Sequence, residues 1–357
     1  MRTLLRRFDR FRRDNTAVLA RWAYRQLGRD KFLLDERLSD DEVRRILVLR
    51  NNKRIGNMYF MLPFLHGLRR AYPDAIIDLM VIDEPQARIF KHLDLDNVFV
   101  SNFSFDSSWS FLKLINQCRQ TVYDLLIMPH SSATDTIIGG LLHARNKIAF
   151  WGPETCGVYR HAFDVKPVHP HAALSALTLL RELGHDQSVL PSHEMAFVDA
   201  ETLQASEVIK GLRGKSRYCI TYFRGARGNK VVGDRQWKSI RERFDQVTQN
   251  NITWVEILSP DIRQPLSADC RTFESSDFRT LAAVLRESDL FICADTGPLH
   301  LADAAGARCV GLFTVTNIEH YGCLGEKTLN LKHIDELDAE AVLTQLVKCP
   351  ASADNET

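Results

Sequence analysis

From residue 46 onward, short apolar runs alternate with stretches whose apolar positions recur every three or four residues. Ile46–Arg50 reads as a buried strand. Residues 57–71 carry Met58, Met61, Leu62, Leu65 and Leu68, one stripe of a helix. Ile76–Ile82, Val98–Val100, Leu125–Met128 and Ile148–Phe150 are further strands, with helices at about 109–120 and 134–144 between them. Strands that alternate with helices imply a parallel sheet covered on both faces.

The alternation lapses over residues 152–215, where Pro153, Pro167, Pro170 and Pro191 break the pattern. This segment reads as a helix-containing connection, with a domain boundary near 195–215. The alternation then resumes. Tyr218–Phe223, Thr253–Leu258, Leu290–Ala294 and Arg308–Phe313 are strands. Residues 236–249, 277–287 and about 334–347 are helices, and a short helix starts near Pro298. The fold class is therefore α/β, with two βα sheets joined by a linker. The expected division is an extension over 1–45, a first domain over 46–205 and a second over 206–357. In open parallel sheets ligands bind at the carboxyl ends of the strands, so both sets of ends could face one cleft.

Composition narrows the class. The 357 residues suffice for two domains, and 45% hydrophobic with 25% charged is a globular balance. A net charge of +1 argues against nucleic acid as the main partner. No apolar run is long enough for a transmembrane helix. The early arginines precede no apolar core, so no secretory signal is expected. The eight cysteines are scattered without a CxxC pair, which favours free thiols in a reducing cytosol over a metal site or disulfides.

Residues 1–31 stand apart, with ten Lys/Arg against three Asp, a balance of roughly +7. Leu4, Phe8, Phe11, Val18 and Trp22 form an apolar stripe between arginines. Such a helix can lie in an anionic membrane surface or pack against its own protein, and the sequence leaves both open.

The strongest chemical feature is Asp295-Thr296-Gly297-Pro298-Leu299-His300-Leu301-Ala302, between two strands. The strand ends at Asp295, Thr296 and Gly297 turn, and Pro298 suits the first helical position. A helix opening there offers N–H groups and a positive dipole end to a phosphate. Gly297 lets an anion approach the backbone, and His300 lies in the first turn. The same spacing also fits a plain strand–turn–helix in which Asp295 or Thr296 is only a cap. After Tyr218–Phe223 comes Arg224-Gly225-Ala226-Arg227-Gly228-Asn229-Lys230, then Arg235-Gln236-Trp237. Arg224, Lys230 and Arg235 offer charge to phosphates, or are a solvated basic loop.

The run Ser275–Thr316 resembles the C-terminal signature of glycosyltransferase family 9, the lipopolysaccharide heptosyltransferases, in its Asp-(Ser/Thr)-Gly-x-x-His-Leu-Ala block. Ile46–Leu49, Arg54-Ile55-Gly56, Leu62-Pro63, Leu68-Arg69-Arg70 and Tyr72-Pro73 resemble that family's first βα unit. The resemblance implies the GT-B arrangement: two Rossmann-like domains, the nucleotide-sugar mainly on the second and the acceptor mainly on the first. It implies inverting transfer of heptose from ADP-heptose to a lipopolysaccharide-core, lipid-linked oligosaccharide acceptor. No metal or other cofactor is expected, so protein cations and a helix N-terminus must stabilise the leaving diphosphate. Asp295, Thr296, Gly297, Leu299 and His300, with Arg224, Lys230 and Arg235, are the expected donor-side residues. The expected location is cytoplasmic, with residues 1–31 reaching the inner membrane.

The chain departs from the family at the proposed general base. The Asp that follows the first glycine there is Asn57 here, and a carboxamide cannot take a proton as a carboxylate does. Asn57 is then an orienting residue. His130, after the strand 125–128, is a candidate base with a reference pKa of about 6.5, and Asp83 and Glu84 are others. Thr314 and Ser259-Pro260 stand where the family often has glycines. A transferase of another nucleotide-sugar, or a non-catalytic sugar-nucleotide-binding homologue, are the alternatives.

Overall fold

The computed structural model describes residues 24–347, apart from 25, 53, 55, 103–107, 154 and 156. The apolar stripe over Leu4–Trp22 lies outside the described residues.

The first half runs β1 (Arg45–Arg50), α1 (Gly56–Tyr59), α2 (Leu62–Ala71), β2 (Ile76–Val81), α3 (Glu84–Ile89), β3 (Asn97–Val100), α4 (Ser108–Cys118), β4 (Val122–Met128), α5 (Ala133–Leu141), β5 (His143–Phe150) and β6 (His161–Phe163). α6 (Leu177–Glu182) and α7 (Asp199–Arg213) lead into the second half. That half runs β7 (Tyr218–Phe223), α8 (Asp234–Val247), β8 (Ile252–Ile257), β9 (Arg271–Phe273), α9 (Phe278–Glu287), β10 (Leu290–Ala294), α10 (Gly297–Ala304), β11 (Cys309–Leu312), α11 (Ile318–Tyr321), β12 (Thr328–Leu331) and α12 (Ala339–Leu346).

Each half holds a six-stranded sheet, in the orders β3-β2-β1-β4-β5-β6 and β12-β11-β10-β7-β8-β9, and every pairing within them is parallel. The expected pair of Rossmann-like halves is thus present. β1 shows why both faces are covered. Ile46 and Val48 enter the core on the side of α2, while Leu47 and Leu49 enter the core on the opposite face. The first of these cores continues through Leu180 to Leu281, Phe291, Leu299 and Phe313 of the second half. One apolar layer therefore joins the two sheets, and the site lies where that layer reaches the strand ends.

Three local readings change. The helix expected over 57–71 is two helices, because Pro63 stands in the opening turn of α2 and lacks the N–H that a continuous helix would need. The strand expected at Ile148–Phe150 begins at His143. Its polar first half is buried through distant partners. Lys147 ion-pairs with Asp30 at 3.0 Å, and Asn146 accepts from the Leu38 N–H at 2.8 Å. The short strands β6, β9 and β12 were not visible in the apolar pattern. The six described cysteines are free and buried. No described helix is long and apolar enough to cross a membrane.

Candidate functional site

The order of the sheets sets the places where ligands can enter. In the first sheet the chain reverses direction of growth between β1 and β4, and in the second between β7 and β10. Such switch points open a crevice at the carboxyl strand ends. Asp295, Thr296 and Gly297 follow β10, and Arg224 and Lys230 follow β7. Arg50 ends β1, and His130 follows β4.

At the second switch point the chain builds a charged network. Asp295 is buried, 4% exposed. Its Oδ2 accepts from Lys230 Nζ at 2.5 Å, and its Oδ1 is 3.0 Å from His300 Nε2. Burial alone would raise the Asp295 pKa. Hydrogen bonds from His300, Lys230 and Thr316 outweigh it and hold the carboxyl well below the usual range. Asp295 is therefore ionised and fixes two side chains at once. His300 is held on its other side by the Phe60 ring, edge-on at 4.8 Å.

Thr296 is the N-cap of α10, but its hydroxyl lies 3.2 Å from Cys293 Sγ and makes no capping bond. Burial pushes the Cys293 thiol up to about 12, so it stays protonated beneath the turn. The first helical residue is Gly297, with Pro298 next. The N–H groups of Leu299 and His300 reach the Thr296 carbonyl at 3.1 and 3.4 Å. The N–H groups of Thr296 and Gly297 have no acceptor among the described residues. With Lys230 beside them, they form an opening suited to an anion.

The first half meets this turn directly. A Cβ built on Gly56 would sit 3.7 Å from the Gly297 Cα, so the two glycine turns face each other across the cleft. Asn57, next to Gly56, is half-buried, and its carboxamide bonds no described residue. Two more links brace the halves nearby. His171 Nε2 donates to the Gly322 carbonyl at 2.8 Å, because the Ala173 N–H occupies Nδ1 at 3.2 Å. The Met195 N–H donates to the Ala304 carbonyl at 2.7 Å.

The structure therefore brings Lys230, Asp295, Thr296, Gly297 and His300 together, with Asn57 opposite. Others fall elsewhere. Arg224 is committed to protein: its Nε bonds the fully buried Glu256, Nη1 bonds Asp234 at 2.9 Å and Nη2 bonds the Gln264 carbonyl at 2.8 Å. It balances a buried carboxylate and has no fork left for a phosphate. The Leu299 side chain is fully buried in the shared core and packs against Gly311, so only its backbone belongs to the turn. Arg235 is exposed at the start of α8, with no partner among the described residues. His130 belongs to the other switch point. Burial and then the Arg50 charge push its pKa down to about 3, which makes it a weak base. Asp83 is the N-cap of α3, accepting from the Gln86 N–H at 3.0 Å.

Sequence reasoning missed Phe60, His171 and Arg279. Arg279 is 4% exposed and joins the halves. It bonds Glu201 at 2.6 and 2.8 Å, the Ala196 carbonyl at 2.7 Å and the Lys91 carbonyl at 3.0 Å. A cavity of about 460 Å³ opens beside it, lined by Arg88, Lys91, Glu201, Asp277 and Thr280. Within its lining Arg88 pairs with Asp277 and Arg279 with Glu201.

Comparison with known proteins bears on the family and the fold. The family model described as glycosyltransferase family 9 (heptosyltransferase) matches residues 111–348. That range holds Lys230, Asp295 and His300 and begins after Asn57. Lipopolysaccharide heptosyltransferase 3 of Escherichia coli is 22% identical over 277 residues, covering 73% of this chain and 80% of that protein. A glycosyl transferase family 9 structure from Veillonella parvula superposes with a TM-score of 0.72 at 19% identity, over 85% of this chain and 90% of that one. The E. coli heptosyltransferase WaaC with ADP superposes with a TM-score of 0.66 at 17% identity, over 84% of this chain and 98% of that one. These structural likenesses carry the fold, the GT-B arrangement. With more than half of its length matched by the family model, the chain belongs to glycosyltransferase family 9, the heptosyltransferases, and is a glycosyltransferase.

Proposed function

We propose that the chain transfers heptose from ADP-heptose to a lipopolysaccharide-core acceptor, with inversion at the anomeric carbon and without a metal. The observation that carries this reading is the ionised Asp295 holding Lys230 and His300 at the opening of α10, facing Gly56 and Asn57 across the cleft. The diphosphate would sit on the Thr296 and Gly297 N–H groups and on Lys230, with exposed Arg235 closing over it. Negative charge grows on that diphosphate as the glycosidic bond breaks, and donors already in place stabilise it without rearranging. His300, fixed by Asp295 and Phe60, would border the sugar. The resemblance to WaaC, whose structures hold ADP and ADP-2-deoxy-2-fluoro heptose, supports ADP-heptose as the donor.

The acceptor would lie on the first half, its hydroxyl oriented by the Asn57 carboxamide. The basic segment 1–31 would bring the enzyme to a lipid-anchored acceptor. Its described end is tied to the first half, since Asp30 bonds Lys147 and His143 of β5 at 3.0 and 3.1 Å. Turnover across ADP-, UDP- and GDP-sugars tests the reading. Heptose transfer from ADP-heptose is expected, and activity with a UDP-sugar alone would sink it.

Asn57 favours a second reading, in which the chain binds sugar nucleotide but turns it over poorly. A carboxamide takes no proton, and His130 is a weak base. ADP-heptose binding without transfer in the wild type, with transfer restored in Asn57→Asp, would select it.

A further inference from the structure

Arg50 ends β1 at the first switch point and is used by nothing described so far. Only 5% of it is exposed. Its Nε is enclosed without a partner. The rest of its fork makes no hydrogen bond or ion pair with a described residue. Burial presses its pKa below the ordinary value, and the charge of Asp135 acts against that. A buried guanidinium that makes no hydrogen bond or ion pair is strongly unfavourable, and a ligand that completes its fork relieves that cost.

The neighbourhood is incomplete in the same way. His130 Nε2, Gln86 Oε1 and Asp135 Oδ2 are also enclosed without partners. His130 lies close enough to Arg50 to feel its charge and is neutral. Asp135 does not answer Arg50 with an ion pair. Its Oδ1 accepts from the Asn51 N–H at 2.9 Å and from Asn51 Nδ2 at 2.7 Å, and the Asn51 Oδ1 is taken by Ser101 at 2.6 Å. Burial raises the Asp135 pKa, while the Asn51 hydrogen bonds and the Arg50 charge act the other way. The next turn of chain carries Gly56, which meets Gly297, so Arg50 borders the cleft that holds Asp295.

We infer that Arg50, with His130 beside it, forms an anion-recognition subsite that takes a phosphate or carboxylate group of the acceptor. A guanidinium fork matches either group with two parallel hydrogen bonds. The neutral His130 adds a hydrogen bond without bringing a second charge into the pocket. The inference rests on the acceptor lying on the first half.

Calorimetric titration of the full chain with inorganic phosphate and with malonate, in saturating ADP, tests it. ADP fills the Lys230 end, so the added anion reports on Arg50. Wild type is expected to bind at least one of the two. Arg50→Gln should weaken that binding at least tenfold and change ADP affinity by less than twofold. Tighter phosphate points to a phosphorylated acceptor, and tighter malonate to a sugar acid. Arg50→Lys keeps the charge without the fork, guards against a Gln variant that fails to fold, and should fall at least threefold below wild type. Anion binding that is undiminished in the variants, or absent from wild type, overturns the inference. If ADP itself does not bind, the nucleotide reading fails, and the same titrations without ADP still decide the role of Arg50.

Discussion

Removing the Lys230 ammonium is the sharpest perturbation of the donor side. In Lys230→Ala, Asp295, which is 4% exposed in the wild type, loses a hydrogen bond of 2.5 Å. Breaking a fully buried ion pair costs about 3–5 kcal/mol. Here the Lys230 side chain is 37% exposed, and His300 remains on the carboxylate. Solvent screening and the surviving bond reduce the expected stability loss to about 1–2 kcal/mol. Binding should suffer more. A charge-assisted contact to a diphosphate contributes about 1.5–3 kcal/mol, so the Kd for ADP should rise roughly tenfold to a hundredfold. Calorimetry with ADP on the wild type, Lys230→Ala and the exposed control Lys238→Ala reads this directly. Thermal melts of the same three proteins separate binding from folding. ADP affinity in a folded Lys230→Ala within twofold of wild type would refute the reasoning.

The stability difference between wild type and Asp295→Asn should be constant above pH 4 or so and shrink as pH falls below it. The folded Asp295 pKa lies under its unfolded value, so this contribution is lost only in acid, and urea midpoints against pH measure it. His130 has the opposite consequence for the fold. It is neutral when folded and protonates when unfolded below about 6.5, so wild type should lose stability relative to His130→Gln as pH falls from 6.5 towards 3. Arg279→Met strands Glu201 and four carbonyls at the junction of the halves and should lower stability by about 3–5 kcal/mol in urea titration. Asn57→Asp should raise the rate of transfer at neutral pH if proton removal from the acceptor limits it, seen as kcat rising at constant donor KM.

What could be read from the chain alone follows the range of the interactions involved. β7, β10 and the turn into α10 were legible because their signals are local: an apolar run, then Asp-Thr-Gly-Pro at fixed spacing. β5 was only half legible, because Lys147 and Asn146 look exposed until Asp30 and Leu38 arrive from a distant segment. The edge strands β6, β9 and β12 are too short to show a period. Within the site, Lys230 and Arg224 looked alike as basic residues after one strand. Glu256 claims one and Asp295 the other, and neither partner is nearby in sequence. Leu299 sits inside the motif, yet the 3.6-residue turn points its side chain into the core while His300 stays at the cleft. Arg279 carried no sequence signal, since its partners are mostly backbone carbonyls of the other half.

A crystal structure of the full chain with ADP-heptose tests the central claim most directly. The account predicts the diphosphate on the Thr296 and Gly297 N–H groups, within hydrogen-bond reach of Lys230 Nζ, with the anomeric carbon turned towards Asn57. Donor bound elsewhere, such as in the cavity beside Arg279, or a diphosphate that leaves Lys230 untouched, would contradict it.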